Sequence, residues 1–100
     1  MKTHTARSIK LRNDVDAITY PIIHSNGTNR ETLHEALRNA YRACRAMREA
    51  IKQIAPNGRD YYAEAGRMEL ALTQYADRLA FVQRLQDHIE AEIEAIDSQE

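Results

Sequence analysis

From Leu33 onward the apolar positions fall in alternating steps of four and three, at Leu33, Leu37, Ala40, Cys44, Met47, Ile51 and Ile54. That spacing is an unbroken heptad seam, which keeps about one side chain per turn on the same side of an α-helix. It predicts a helix over about 29–55. The start is marked by Asn26-Gly27, a turn signal in which glycine tolerates positive φ, and by Thr28-Asn29-Arg30-Glu31, which matches a capping box between Thr28 and Glu31. The end is marked by Pro56-Asn57-Gly58, since proline cannot continue the hydrogen-bond ladder and Asn-Gly turns easily.

A second seam runs from Met68 through Leu72, Tyr75, Leu79, Val82, Ile89, Ile93 and Ile96, interrupted by Gln86 and widened by Leu85. It predicts a helix ending near residue 97. The helix begins either at Asp60, acting as its cap, or after a break near Gly66, because glycine weakens a helix interior by roughly 1 kcal/mol relative to alanine. Glu90, Glu92, Glu94 and Asp97 crowd its last turns, where the helix dipole disfavours negative charge. This end is expected to fray unless basic groups meet it.

Residues 1–22 differ from the rest, with isolated apolar positions (Ile9, Leu11, Val15, Ile18, Ile22) among charges and a Tyr20-Pro21 step that forces an extended backbone. They read as an N-terminal arm, and residues 23–100 as a helical hairpin. The expected fold class is therefore all-α, an antiparallel two-helix hairpin with an arm. A lone hairpin leaves part of both stripes in water, so an oligomeric helical bundle is expected, a dimer or a higher even-numbered homo-oligomer. Ala36, Ala40, Ala43, Ala46 and Ala50 would allow close approach of helices.

The length of 100 residues suits one domain, and 43% apolar with 29% charged residues is ordinary for a soluble helical protein. Apolar runs are too short for a membrane span, and the basic first residues are not followed by an apolar signal core. A cytoplasmic location, without a membrane partner, is the expectation. Cys44, the only cysteine, reads as a small core residue. The net charge of −1 hides a gradient of +3 over residues 1–30, +3 over 31–59 and −7 over 60–100, which suits pairing of oppositely charged helices.

The distinctive chemistry sits in two turn motifs, Ile23-His24-Ser25-Asn26-Gly27-Thr28 and Pro56-Asn57-Gly58-Arg59-Asp60-Tyr61-Tyr62. A helix over 28–55 would be about 40 Å long, so one subunit cannot bring them together, but an antiparallel neighbour can. Such an intersubunit pocket would set Arg59 on phosphate and Tyr61 or Tyr62 on a ring. Asn57 and Asp60 share that tip, and His24, Asn26, Gly27 and Thr28 would supply donors from the other chain. The plainer alternative is that Asn26-Gly27-Thr28 is a turn and cap, Asp60 a cap, and the tyrosines packing residues.

Arg38, Arg42, Arg45, Arg48 and Lys52 form a basic stripe on the first helix. Such a stripe can track phosphates, but solvated or salt-bridged side chains are the better reading, and nucleic acid ranks last among the partners. His4, His24, His34 and His88 lack metal-ligand spacing, although His24 and His88 are expected near one another. No cofactor or metal is expected. Cys44, Ser25 and Ser98 have no evident base, so the expectation is a protein that is not an enzyme.

The two motifs together, I-H-x-N-G-T and P-N-G-R-D-Y-Y, resemble those of small uncharacterised bacteriophage and prophage proteins, over roughly residues 22–96. Ser25 stands where that group has a more apolar residue, and the proline expected after Tyr62 is missing. In layout the chain also resembles the helical-hairpin sponges with which phages sequester nucleotide immune signals. That likeness implies a non-catalytic protein binding cyclic oligonucleotides or ADP-ribose derivatives at subunit interfaces to counter host defence. The alternative expectation is an interaction or inhibitor module acting on a host protein.

Overall fold

The computed structural model describes residues 18–99. Within them the chain forms three helices, α1 (Arg30–Lys52), the short α2 (Gly58–Tyr61) and α3 (Arg67–Asp97), and no strand. α1 and α3 run antiparallel. Arg30 at the start of α1 reaches the Ile96 and Asp97 carbonyls at the end of α3, while Met47 and Ile51 meet Phe81 and Val82 toward the other end. The all-α hairpin is thus present, and the expected break near Gly66 is where the second long helix begins. The part of the N-terminal arm formed by residues 1–17, including His4, lies outside the described residues.

Three local expectations are corrected. The cap of α1 is Asn29, whose side chain accepts the Thr32 N–H at 2.8 Å, and not the Thr28–Glu31 box. Thr28 and Asn29 both offer a capping oxygen; Asn29 stands one residue closer to the first helical turn and takes the orphan donor, leaving Glu31 in the first turn. α1 also stops at Lys52 rather than near residue 55. Gln53, Ile54 and Ala55 donate to the carbonyls three residues back, a tightened turn that suits the approach to Pro56, which cannot donate and disfavours helical backbone before it. Finally, Asp60 does not cap the second long helix. Asn57 caps α2, and α3 follows Gly66, whose φ of 82° is a left-handed backbone that favours glycine.

The seam between α1 and α3 is narrow. Cys44, Ala71, Val82 and Ile96 are its buried apolar residues, and Gln86 is buried beside them. Ala71 was not among the seam positions read from the sequence. Conversely, Met47, Ile54 and Leu72 were placed on the seams yet are 55, 56 and 46% exposed. Two helices can turn only one face each toward the other, and the wider apolar stripes run off its edge.

At the open end of the hairpin the acidic last turns of α3 are met by a basic group. Arg30 Nη1 donates to the Ile96 carbonyl at 2.7 Å and to that of Asp97 at 3.3 Å, and His34 Nε2 lies 3.2 Å from Asp97 Oδ2. The Ile96 carbonyl otherwise accepts backbone N–H groups of the cap, Gln99 at 3.3 Å among them, so a charged donor there chiefly complements the dipole. The Gln99 amide then ties down residues 21–23, accepting the Ile23 N–H and donating to the Pro21 carbonyl, both at 2.8 Å.

Replacing Arg30 with alanine removes one part-buried, charge-assisted bond and a longer exposed one, and should cost about 1.5–3 kcal/mol of stability. Amide hydrogen exchange at Ser98 and Gln99 should rise more than exchange around Cys44. Gln86 Oε1 is buried without a partner, so Gln86→Leu should stabilise the hairpin by about 1–2 kcal/mol. That should appear as a melting temperature several degrees higher in a circular-dichroism melt.

Candidate functional site

The first motif folds as a self-contained turn. The Gly27 N–H donates to the His24 carbonyl at 3.2 Å, and the Asn26 N–H approaches His24 Nδ1 at 3.3 Å. The imidazole therefore lies back over the turn: a Cβ on Gly27 would sit 2.8 Å from His24 Nε2. Gly27 permits this close approach and is not, as expected, needed for a positive φ, since Gly66 is the positive-φ glycine among the described residues. His24 Nδ1 and the Asn26 N–H are thus engaged inside the turn. Thr28 is exposed and free of its expected capping role.

The second motif is organised by one side chain. Asn57 Oδ1 accepts the Asp60 N–H at 3.1 Å, and its Nδ2 donates to Asp60 Oδ2 at 2.9 Å. Asn57 and Asp60 thus satisfy each other and hold the single turn of α2. Tyr61 is half-buried, while Tyr62 is 82% exposed. Arg59 is exposed and has no hydrogen-bond or ion-pair partner among the described residues. The tip therefore displays one guanidinium and one phenol.

The two motifs sit at opposite ends of α1, whose 23 residues span about 34 Å. One chain does not bring them together. None of the nine candidate residues lines any of three surface hollows. The first, about 290 Å³, lies among Arg38, Tyr41, Glu90, Ile93 and Glu94, and the second, about 460 Å³, is bounded by Arg30, His34, Glu35 and Asp97. The third, about 430 Å³, is an open, predominantly apolar hollow lined by Met47, Ile51, Asp77, Arg78, Phe81 and Val82.

The charged side chains of α1 are distributed unevenly. Arg38, Arg42, Arg45, Glu49 and Lys52 gather on one side, where Arg42 bonds Asn39 and Lys52 pairs with Glu49 at 3.1 Å. No ion pair within 4 Å joins an α1 arginine to an α3 carboxylate among the described residues. On another side, Thr32, Ala36, Asn39, Ala43, Ala46 and Ala50 recur in steps of four and three, are all exposed and carry no charge. Met47 and Ile54 border this face. The alanines were noted in the sequence, but their joint exposure depends on how α1 is rotated against α3, which only the packed pair reveals.

Burial raises the Cys44 thiol above its ordinary value of 9.0, so it stays protonated and unreactive near neutral pH. Among the described residues, no three His, Cys, Asp or Glu side chains are placed to hold a metal ion, and no helix is long and apolar enough to cross a membrane. No protein-family model, curated protein or solved structure matches the chain.

Because the exposed His24 ring can swing away from a new Cβ, Gly27→Ala should cost the wild type little and a His24→Ala background nothing. A double-mutant cycle by urea denaturation checks this. An equal, substantial cost in both backgrounds would assign the glycine to another constraint.

Proposed function

We propose that this protein is a non-catalytic helical docking module, whose function is exercised by covering the apolar side of its hairpin with a partner. The observation that carries this reading is the uncharged, exposed side of α1 with Met47 at 55% exposure, followed by Ile54 at 56% in the turn after it, in a chain of which 29% is charged. Contiguous apolar surface of this kind marks interaction sites in soluble proteins. The apolar hollow between Met47, Ile51, Phe81 and Val82 adds a recess in which a partner side chain can lodge. In cells expressing the protein, the wild type should elute on size exclusion well above its 11.5 kDa, and a Met47→Lys/Ile54→Lys variant near it. Identical elution of the two in crude extract contradicts the docking reading.

A second reading is supported by the tip. An exposed Tyr62 beside an unpaired Arg59 offers a ring to stack and a fork for an anion, the pairing a nucleotide-like ligand calls for. Sequestration of a nucleotide immune signal by a phage protein is the specific form of this reading, and it rests on the resemblance in motifs and layout. A thermal-unfolding screen against cyclic di- and trinucleotides and ADP-ribose derivatives tests it, because ligand at 100 times its dissociation constant should add about 2.7 kcal/mol. A shift for one class that disappears in Arg59→Ala is expected, and the absence of any shift contradicts it.

A further inference from the structure

We infer that the occupant of the uncharged α1 face is a second copy of this chain, packed antiparallel so that α1 lies against α1 and the two hairpins form a four-helix bundle. This rests on the docking reading above and names its partner. The first support is electrostatic. The face running from Thr32 through Ala36, Asn39, Ala43, Ala46 and Ala50 carries no ionisable side chain of its own, and Arg42 reaches its edge, where Nη1 donates to Asn39 Oδ1 at 2.8 Å. Over Ala43, Ala46 and Ala50 a charged partner would lose hydration without a counter-charge, so another uncharged face fits that stretch better. The chain itself carries such a face.

The second support is the match of size along the stripe Ala36, Ala40, Ala43, Met47 and Ala50, which repeats in steps of four and three on α1 and is followed by Ile54 in the turn after it. Laid antiparallel about a point between Ala43 and Met47, the helical part of the stripe sets Ala40 opposite Ala50 and Ala43 opposite Met47, with Ile54 in the turn beyond α1 toward the Ala36 end. The large residue on the helix faces a small one. A two-fold interface needs this property, because the same patch must serve as both knob and hole. A parallel arrangement would instead oppose Met47 to Met47 and leave alanine against alanine.

The third support is area. A hairpin side is two helices wide, about 20 Å, and α1 is about 34 Å long, giving on the order of 700 Å² per copy. Stable interfaces bury about 800 Å² per partner, so a second hairpin supplies the required extent, whereas a single helix covers about half of it.

The test is sedimentation equilibrium of the purified full chain between about 10 and 200 μM, a range that covers micromolar association. It compares the wild type with Ala43→Glu in the middle of the face and with Thr73→Glu, an exposed position on α3 outside it. The expected result is a wild-type mass near twice 11.5 kDa. Ala43→Glu should weaken the dimer at least tenfold, and Thr73→Glu should leave it within about twofold, since a buried uncompensated carboxylate is far costlier than an exposed one. Orientation is read separately from disulfide-linked peptides of a Cys44→Ala/Ala43→Cys/Met47→Cys variant, in which links between position 43 of one copy and 47 of the other should dominate. A monomeric wild type at 200 μM overturns the inference, as does equal weakening by both glutamates or a dominance of 43–43 links. A purified monomer that nevertheless elutes large in cell extract would overturn the second copy while leaving the docking reading standing.

Discussion

Two helices share one seam, and in this chain the seam is too narrow for the apolar residues provided. Cys44, Ala71, Val82 and Ile96 fill it, together with the poorly satisfied Gln86, and the remaining apolar side chains lie at its edges or outside it. Much of the organisation serves to keep this thin contact closed. Arg30 and His34 hold the acidic end of α3, Gln99 fastens residues 21–23, and Asn57 and Gly66 set the direction of the turn at the other end. Polar clamps at both ends thus supplement a small core.

The elements themselves were legible in the sequence because periodicity and breakers act locally. The seam positions from Leu33 to Ile51 lie within α1, and the span from Met68 to Ile96 within α3. What eluded the sequence were choices between neighbouring groups of similar chemistry. Thr28 and Asn29 are both good caps, and only backbone geometry decides for Asn29. Asp60 resembles a cap but is held by one, Asn57. Arg30 reads as an ordinary first-turn residue, and its role appears only when residue 96 is brought beside it.

The turn motifs were legible as turns. In each motif one side chain is engaged locally, His24 Nδ1 with the Asn26 N–H and Asn57 with Asp60. That leaves Arg59 and Tyr62 as the displayed chemistry of the tip. The extended uncharged face was harder to read, because alanine at helical spacing is equally at home in a core or on a surface. Its meaning comes from the rotation of α1 against α3, which buries Cys44 and leaves Ala43 and Met47 outside.

A hairpin whose spare apolar side is covered by its own copy couples folding to association, whereas a self-sufficient hairpin does not. The direct measurement is the thermal midpoint of the purified protein over a hundredfold range of concentration, followed by circular dichroism at constant pH and salt. A midpoint that climbs steadily with concentration is the expected result. A midpoint independent of concentration, with the protein monomeric throughout, would contradict it.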